Sequence, residues 1–169
     1  MKKFELTANS KMHLGKKLFQ IKALISFGNV EEGDLGGFIE KEDNLSQSGD
    51  AWVYGNAWVY GDAEVSGNAE VSGNVWVFDN ARVYGDAWVY GNARVYGNAD
   101  YTTIKGFGRN CRNTTFFKSE DDDVKVVCGC FYGTLDEFRK KVKETHGDSK
   151  YATEYLMIAD LMELHFKED

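Results

Sequence analysis

What the sequence lacks removes several function classes at once. No run approaches the roughly 20 apolar residues of a membrane-spanning helix. With 43% apolar residues the chain also stands outside the charged, aromatic-poor regime of disorder. The opening MKKFELTANS has two lysines but neither the apolar core nor the small-residue cleavage site of a secretory signal, so a cytoplasmic location is expected. Three cysteines, Cys111, Cys128 and Cys130, are an odd number and argue for reduced thiols rather than a disulfide framework.

Positive charge is scarce in the middle of the chain. Residues 49–102 carry two arginines, no lysine and seven carboxylates, a net −5 within an overall −7. Such a segment cannot neutralise phosphates, so it is not expected to bind nucleic acid. Its carboxylates are too sparse for a DNA mimic. A protein partner or a neutral ligand suits it better.

What is present is a repeat. From Gly49 the sequence runs GDAWVY, GNAWVY, GDAEVS, GNAEVS, GNVWVF, DNARVY, GDAWVY, GNARVY and a fading GNADYT, nine units over 54 residues ending at Thr102. A unit this short cannot bury a core alone and must stack on its neighbours as a solenoid. Ala and Val lie two apart, on one side of an extended strand, leaving Trp, Tyr, Glu and Arg on the other. The Gly-Asn/Asp pair supplies a corner. Three six-residue sides make a triangular coil of 18 residues, and in that register Val53, Val71 and Val89 form one inner column, Val59, Val77 and Val95 a second, and Val65 and Val83 lead to Tyr101 in a third. Asn56, Asn74 and Asn92 should stack at a corner. Glu64, Arg82 and Asp100 should form a ladder of alternating charge.

The V-x-G-N/D-A-x phase resembles the hexapeptide repeat of left-handed parallel β-helices. Leu18 to Ala57, LFQIKALISFGNVEEGDLGGFIEKEDNLSQSGDAWVYGNA, resembles the segment preceding the repeat in YdcK-like proteins of bacteria and phages. The tail from Thr114 to Phe166 is similar to an uncharacterised domain found behind such repeats in phage and prophage proteins. The fold expected is mainly β: a short left-handed parallel β-helix of about three triangular coils, with a small N-terminal β cap and a C-terminal α/β cap of a hairpin plus two helices. Its parts are 1–48, a β cap and first coil; 49–102, the repeat; and 103–169, the C-terminal domain.

Caps are needed because an open solenoid presents unpaired strand edges. At the front, Phe4 to Leu6 and Leu18 to Ile25 read as strands, and Asp34 to Glu40 (DLGGFIE) as a glycine-containing turn. At the back, Thr115 to Phe117 and Val124 to Cys128 read as a hairpin around the acidic turn SEDDD. Thr134 and Glu137 form a capping box for a helix with Leu135, Phe138 and Val142 on one face, stopped at Gly147. A second helix is expected from Tyr151 to Phe166.

Catalytic signals are weak. Resemblance to hexapeptide proteins raises a trimeric acyltransferase with a histidine base between subunits. The histidines, however, are His13, His146 and His165, with none between residues 14 and 145. The coils therefore contain no histidine base and no three-histidine zinc site. Cys128-Gly129-Cys130 reads as strand-end cysteines packed beneath a helix, and Glu120 to Asp123 as a solvated turn. No catalytic residue, metal or cofactor is assigned. Arg109, Arg112 and Asn113 gather polar donors beside CGCF, a possible site for a small anion.

The outer aromatics are the most informative surface feature. Trp58, Tyr60, Trp76, Phe78 and Tyr96, with Arg94 among them, should form an apolar patch on adjoining coils, and Trp52 and Trp88 stand on a neighbouring face. Three covers compete: the chain's own ends, a second copy, or a foreign protein. The resemblance implies self-association about a three-fold axis. The function expected is non-enzymatic protein–protein interaction, phage or prophage encoded, acting on a host protein in the host cytoplasm, with inhibition of a host defence system as one such role. The alternative is a divergent trimeric acyltransferase.

Overall fold

A computed structural model describes residues 1–97 and 100–167. The chain divides into two compact units, Met1–Asn98 and Ala99–Asp169.

In the first unit, β1 (Phe4–His13) and β2 (Lys16–Ala23) form an antiparallel hairpin. Leu14 and Gly15 turn it, both at positive φ, as a tight hairpin turn demands. Next comes β3 (Leu35–Ile39). The repeat then supplies eight two-residue strands: β4 (Trp52–Val53), β5 (Trp58–Val59), β6 (Glu64–Val65), β7 (Glu70–Val71), β8 (Trp76–Val77), β9 (Arg82–Val83), β10 (Trp88–Val89) and β11 (Arg94–Val95).

The 18-residue register is confirmed by parallel ladders. Val53, Val71 and Val89 stack through β4, β7 and β10, and Val59, Val77 and Val95 through β5, β8 and β11. Val65 meets Val83, placing Glu64 opposite Arg82. Every inward Ala and Val from Ala51 to Val95 is buried. Backbone bonds such as Trp52 N–H to Ala69 O (3.0 Å) and Glu70 N–H to Ala87 O (2.9 Å) tie coil to coil. At the corners Asn74 donates its amide to Asn92 at 3.3 Å, and Asn68 to Asp86 at 3.1 Å. Gly49, Gly67 and Gly85 are in the left-handed region, and a Cβ on Gly49 or Gly67 would strike the backbone of the glycine one coil on. Where the repeat has Asp79 instead, φ is +54°, a conformation Asp tolerates better than most residues.

The first coil is two residues longer than the rest, because Phe38 pairs with Trp58 and Leu45 with Val65. The two extra residues fall between Leu45 and Gly49, since Gly49 again stands against Gly67, and just before them Asn44 is fully buried in the short turn Glu42–Asn44. Its amide donates to the carbonyls of Gly61 (3.1 Å) and Ala63 (2.7 Å) while its oxygen accepts from Lys41 N–H (2.9 Å).

One correction concerns Asp34 to Glu40. The segment expected as a turn contains β3, which pairs antiparallel with β2 and parallel with β5. It thereby extends one solenoid face into a sheet of order β1-β2-β3-β5-β8-β11. The glycines serve close approach: a Cβ on Gly36 or Gly37 would lie 2.5 Å from the carbonyl oxygen of Val53 or Ala57.

The second unit is an antiparallel sheet of β12 (Tyr101–Phe107), β13 (Arg112–Lys118), β14 (Val124–Cys128) and β15 (Phe131–Thr134), followed by α1 (Leu135–His146) and α2 (Lys150–His165). Tyr101, expected in the third valine column, opens β12 and pairs with Phe117. Asn98 and Ala99 of the ninth repeat lie outside the described residues. The capping box is formed: Thr134 Oγ1 accepts from Glu137 N–H at 3.2 Å, and the Glu137 carboxylate accepts from Thr134 N–H at 2.8 Å. Phe116 and Val126 of the sheet pack with Leu135, Phe138 and Val142 of α1 and Tyr155, Ala159 and Met162 of α2. Arg139 on α1 joins Asp160 (2.9 Å) and Glu163 on α2. The acidic turn is internally paired, with Lys125 reaching Asp123 at 3.1 Å and Asp121 at 3.3 Å.

Candidate functional site

The period that builds the solenoid also stacks its outer rings. Equal positions recur on strands roughly 4.8 Å apart, so Trp58 and Trp76 lie parallel with centroids 5.2 Å apart, and Tyr60 and Phe78 repeat this at 5.2 Å. Tyr96 continues the second pair at 5.8 Å with a tilt of 41°. The Arg94 guanidinium lies 4.0 Å from the centre of the Trp76 ring, a cation–π contact.

Much of this stripe is not free surface: of the three covers expected to compete, one of the chain's own ends takes part of it. The β1–β2 hairpin lies on it. The His13 ring centroid is 4.7 Å from both Trp58 and Trp76, and its Nε2 is 3.5 Å from the Tyr60 hydroxyl. Leu18 and Phe38 bury Tyr60 to 4% exposure, and Trp58, Trp76 and Phe78 are half-buried against that cluster. The covering is imperfect, because the Trp58 indole nitrogen is buried without a hydrogen-bond partner. On the neighbouring face Trp52 is fully enclosed between Phe4 (6.2 Å) and Phe27 (5.4 Å). Burial there pushes the Glu70 carboxyl up, opposed by a hydrogen bond with Asn29. Trp88, at the same outward position two coils on, remains exposed, as do Tyr84 and Tyr96.

The second unit holds a cavity of about 310 Å³. Its mouth is polar and exposed: Arg109 and Asn110 come from the β12–β13 turn, Arg112 from β13, Cys130 from the β14–β15 turn, and Lys141 and Thr145 from α1. Its floor is apolar: Phe138, Val142 and Tyr155 are buried, with Phe131, Cys128 and His146 half-buried beside them. Five of these residues, Phe138, Lys141, Val142, Thr145 and His146, share one face of α1 by the three- and four-residue spacing of a helix. The Tyr155 hydroxyl donates to Phe107 O at 3.2 Å and lies 3.9 Å from Cys128 Sγ, which accepts from the Thr114 hydroxyl at 3.2 Å. Burial first and Cys128 second push the Tyr155 phenol far above its ordinary value.

Of the anion-site residues, Arg109 and Arg112 meet at the cavity and Asn113 does not line it. Successive strand residues point to opposite sides, so Arg112 and Asn113 cannot both face one pocket. Cys128 packs against the helical core as expected, whereas Cys130 is exposed. Lys141, Thr145 and His146 were missed, although their spacing from Phe138 and Val142 was available in the sequence. Among the described residues no group of three or more His, Cys, Asp or Glu side chains could hold a metal ion. His13 lies within aromatic packing, His146 at the cavity, and His165 is exposed. No helix among the described residues is long and apolar enough to cross a membrane.

No curated protein matches the chain. Residues 77–91 and 87–99 match the family described as the YdcK Beta solenoid repeat. These stretches overlap the ladders of β8 to β11, so sequence likeness and backbone geometry coincide there: the repeat of this chain is a YdcK-like β-solenoid of about three turns.

Proposed function

We propose that this chain is a non-enzymatic binding protein, a stiff β-solenoid that engages a protein partner through aromatic side chains of its last coil. The observation that carries the reading is unequal covering. Trp52 and Tyr60 are enclosed by the chain's own N-terminal segment, whereas Tyr84, Trp88 and Tyr96 are 61%, 46% and 46% exposed. Tyr and Trp are the side chains most enriched at binding hot spots. Residues 49–102 carry seven carboxylates against two arginines, so a second copy would bring like charges together. A partner with basic groups around an apolar centre is complementary. The resemblance to phage-type proteins supports a host protein in that role, with inhibition of a host defence system as one consequence.

The test is absolute mass by size exclusion with light scattering, followed by capture of a partner on wild type and on Trp88→Ser/Tyr96→Ser. A monomer near 19.1 kDa that retains a stoichiometric partner, lost in the double variant without change in its thermal midpoint, is the expected result. A trimer that turns over an acyl donor would replace this reading with the divergent acyltransferase.

A further inference from the structure

We propose that the cavity of the second unit is a binding site for a small organic carboxylate whose body is a single aromatic ring or a short branched chain. This is independent of the solenoid surface.

Charge is the first argument. The chain is acidic overall at −7, yet the cavity is lined by Arg109, Arg112, Lys141 and His146 and by no Asp or Glu. Neither guanidinium has a carboxylate partner among the described residues. Lys141 has only Glu144, at 3.5 Å. Two unpaired arginines at one mouth favour a planar anion, which each can grip with two parallel N–H donors.

Shape is the second argument. Below the cations the cavity is closed by Phe138, Val142 and Tyr155, all buried, so the cations rim an apolar well. Inorganic phosphate would leave that well unfilled. The volume, about 310 Å³, is roughly twice the 150 Å³ that holds a benzene ring. It therefore fits one ring or branched chain together with its carboxylate, and is small for anything as large as a dinucleotide.

Preorganisation is the third. The Arg112 guanidinium lies against Gly129, where a Cβ would collide with its Nη1. The contact sets the Arg112 guanidinium beside the β14–β15 turn, at the edge of the cavity. The Tyr155 hydroxyl is committed to Phe107 O, which fixes the ring that forms the floor.

The experiment is calorimetric titration of the full chain with phenylacetate and 4-methylpentanoate. The neutral analogue 2-phenylethanol and inorganic phosphate serve as controls, with amide chemical shifts recorded in parallel. At least one carboxylate should bind saturably and move the resonances of Arg109, Arg112 and α1. Binding should weaken about tenfold or more with 2-phenylethanol and in Arg109→Gln/Arg112→Gln, because a charge-assisted pair is lost. Both arginines are exposed, so the thermal midpoint of the unliganded variant should not change. Equal affinity for 2-phenylethanol, equal affinity for phosphate, or no saturable response to either carboxylate would each overturn the proposal.

Discussion

In the repeat, alanine and valine point inward and the rings stand outside, whereas in the C-terminal unit Phe116, Phe138 and Tyr155 are themselves the core. The cause is geometric. A six-residue side offers two inward positions, and the triangle they enclose is too narrow for rings. A sheet with helices across it leaves a wider gap, which large side chains fill and, where α1 spreads its long residues, do not quite close. The solenoid is thus uniform inside and differentiated outside, and the C-terminal unit the reverse. Aromatic exposure in the repeat depends on which other segment reaches a given ring. In the C-terminal unit the informative feature is a void.

The sharpest way to break the contrast is to charge the narrow interior. Val77→Asp places a carboxylate in a fully buried column with no cation beside it, and should cost more than about 4 kcal/mol. Circular dichroism is expected to show loss of the solenoid, and a folded variant would mean that the column is not closed. In the wider core, Phe138→Ala should cost about 3–5 kcal/mol by denaturant titration. It removes a ring packed on Phe116, Phe131 and Tyr155 and enlarges the cavity.

A third comparison lies within the solenoid. Trp52 and Trp88 occupy equal positions two coils apart but are 1% and 46% exposed. Trp52→Ala should cost about 3–5 kcal/mol and Trp88→Ala less than about 1 kcal/mol, both read from denaturation midpoints. Equal effects would mean that covering by Phe4 and Phe27 contributes little.

Legibility followed the range of the interactions. The valine columns and the Asn74–Asn92 pair could be read because one period sets both sequence and space, and the Thr134–Glu137 box because its partners are three residues apart. The covering of Trp52 by Phe4 could not, since 48 residues separate them and nothing repeats. Gly36 and Gly37 read locally as a turn. Their reason, close approach to the carbonyls of Val53 and Ala57, lies on another strand. For the anion site, Arg109 and Arg112 were found by clustering in sequence. Lys141 and His146 join them only when α1 packs over the β-sheet.

A last prediction concerns the buried ammonium of Lys3 in the first unit. Lys3 is 2% exposed and donates to Ala51 O at 2.9 Å and Gly49 O at 3.3 Å. Burial pulls its pKa down to about 8, with Asp50 opposing. An unfolded chain holds this proton up to the ordinary value near 10.5, so between about 8 and 10 the unfolded state binds more protons than the folded one. Stability from this group therefore rises with pH across that window. The neutral amine retains two N–H donors for its two carbonyls, so deprotonation removes the buried charge without orphaning either acceptor. Lys3→Met keeps the stem and lacks the titration. The stability of wild type relative to this variant should increase from pH 7.5 to pH 9.5 in paired denaturant titrations, and a flat or falling difference would show that the ammonium is solvated where it sits.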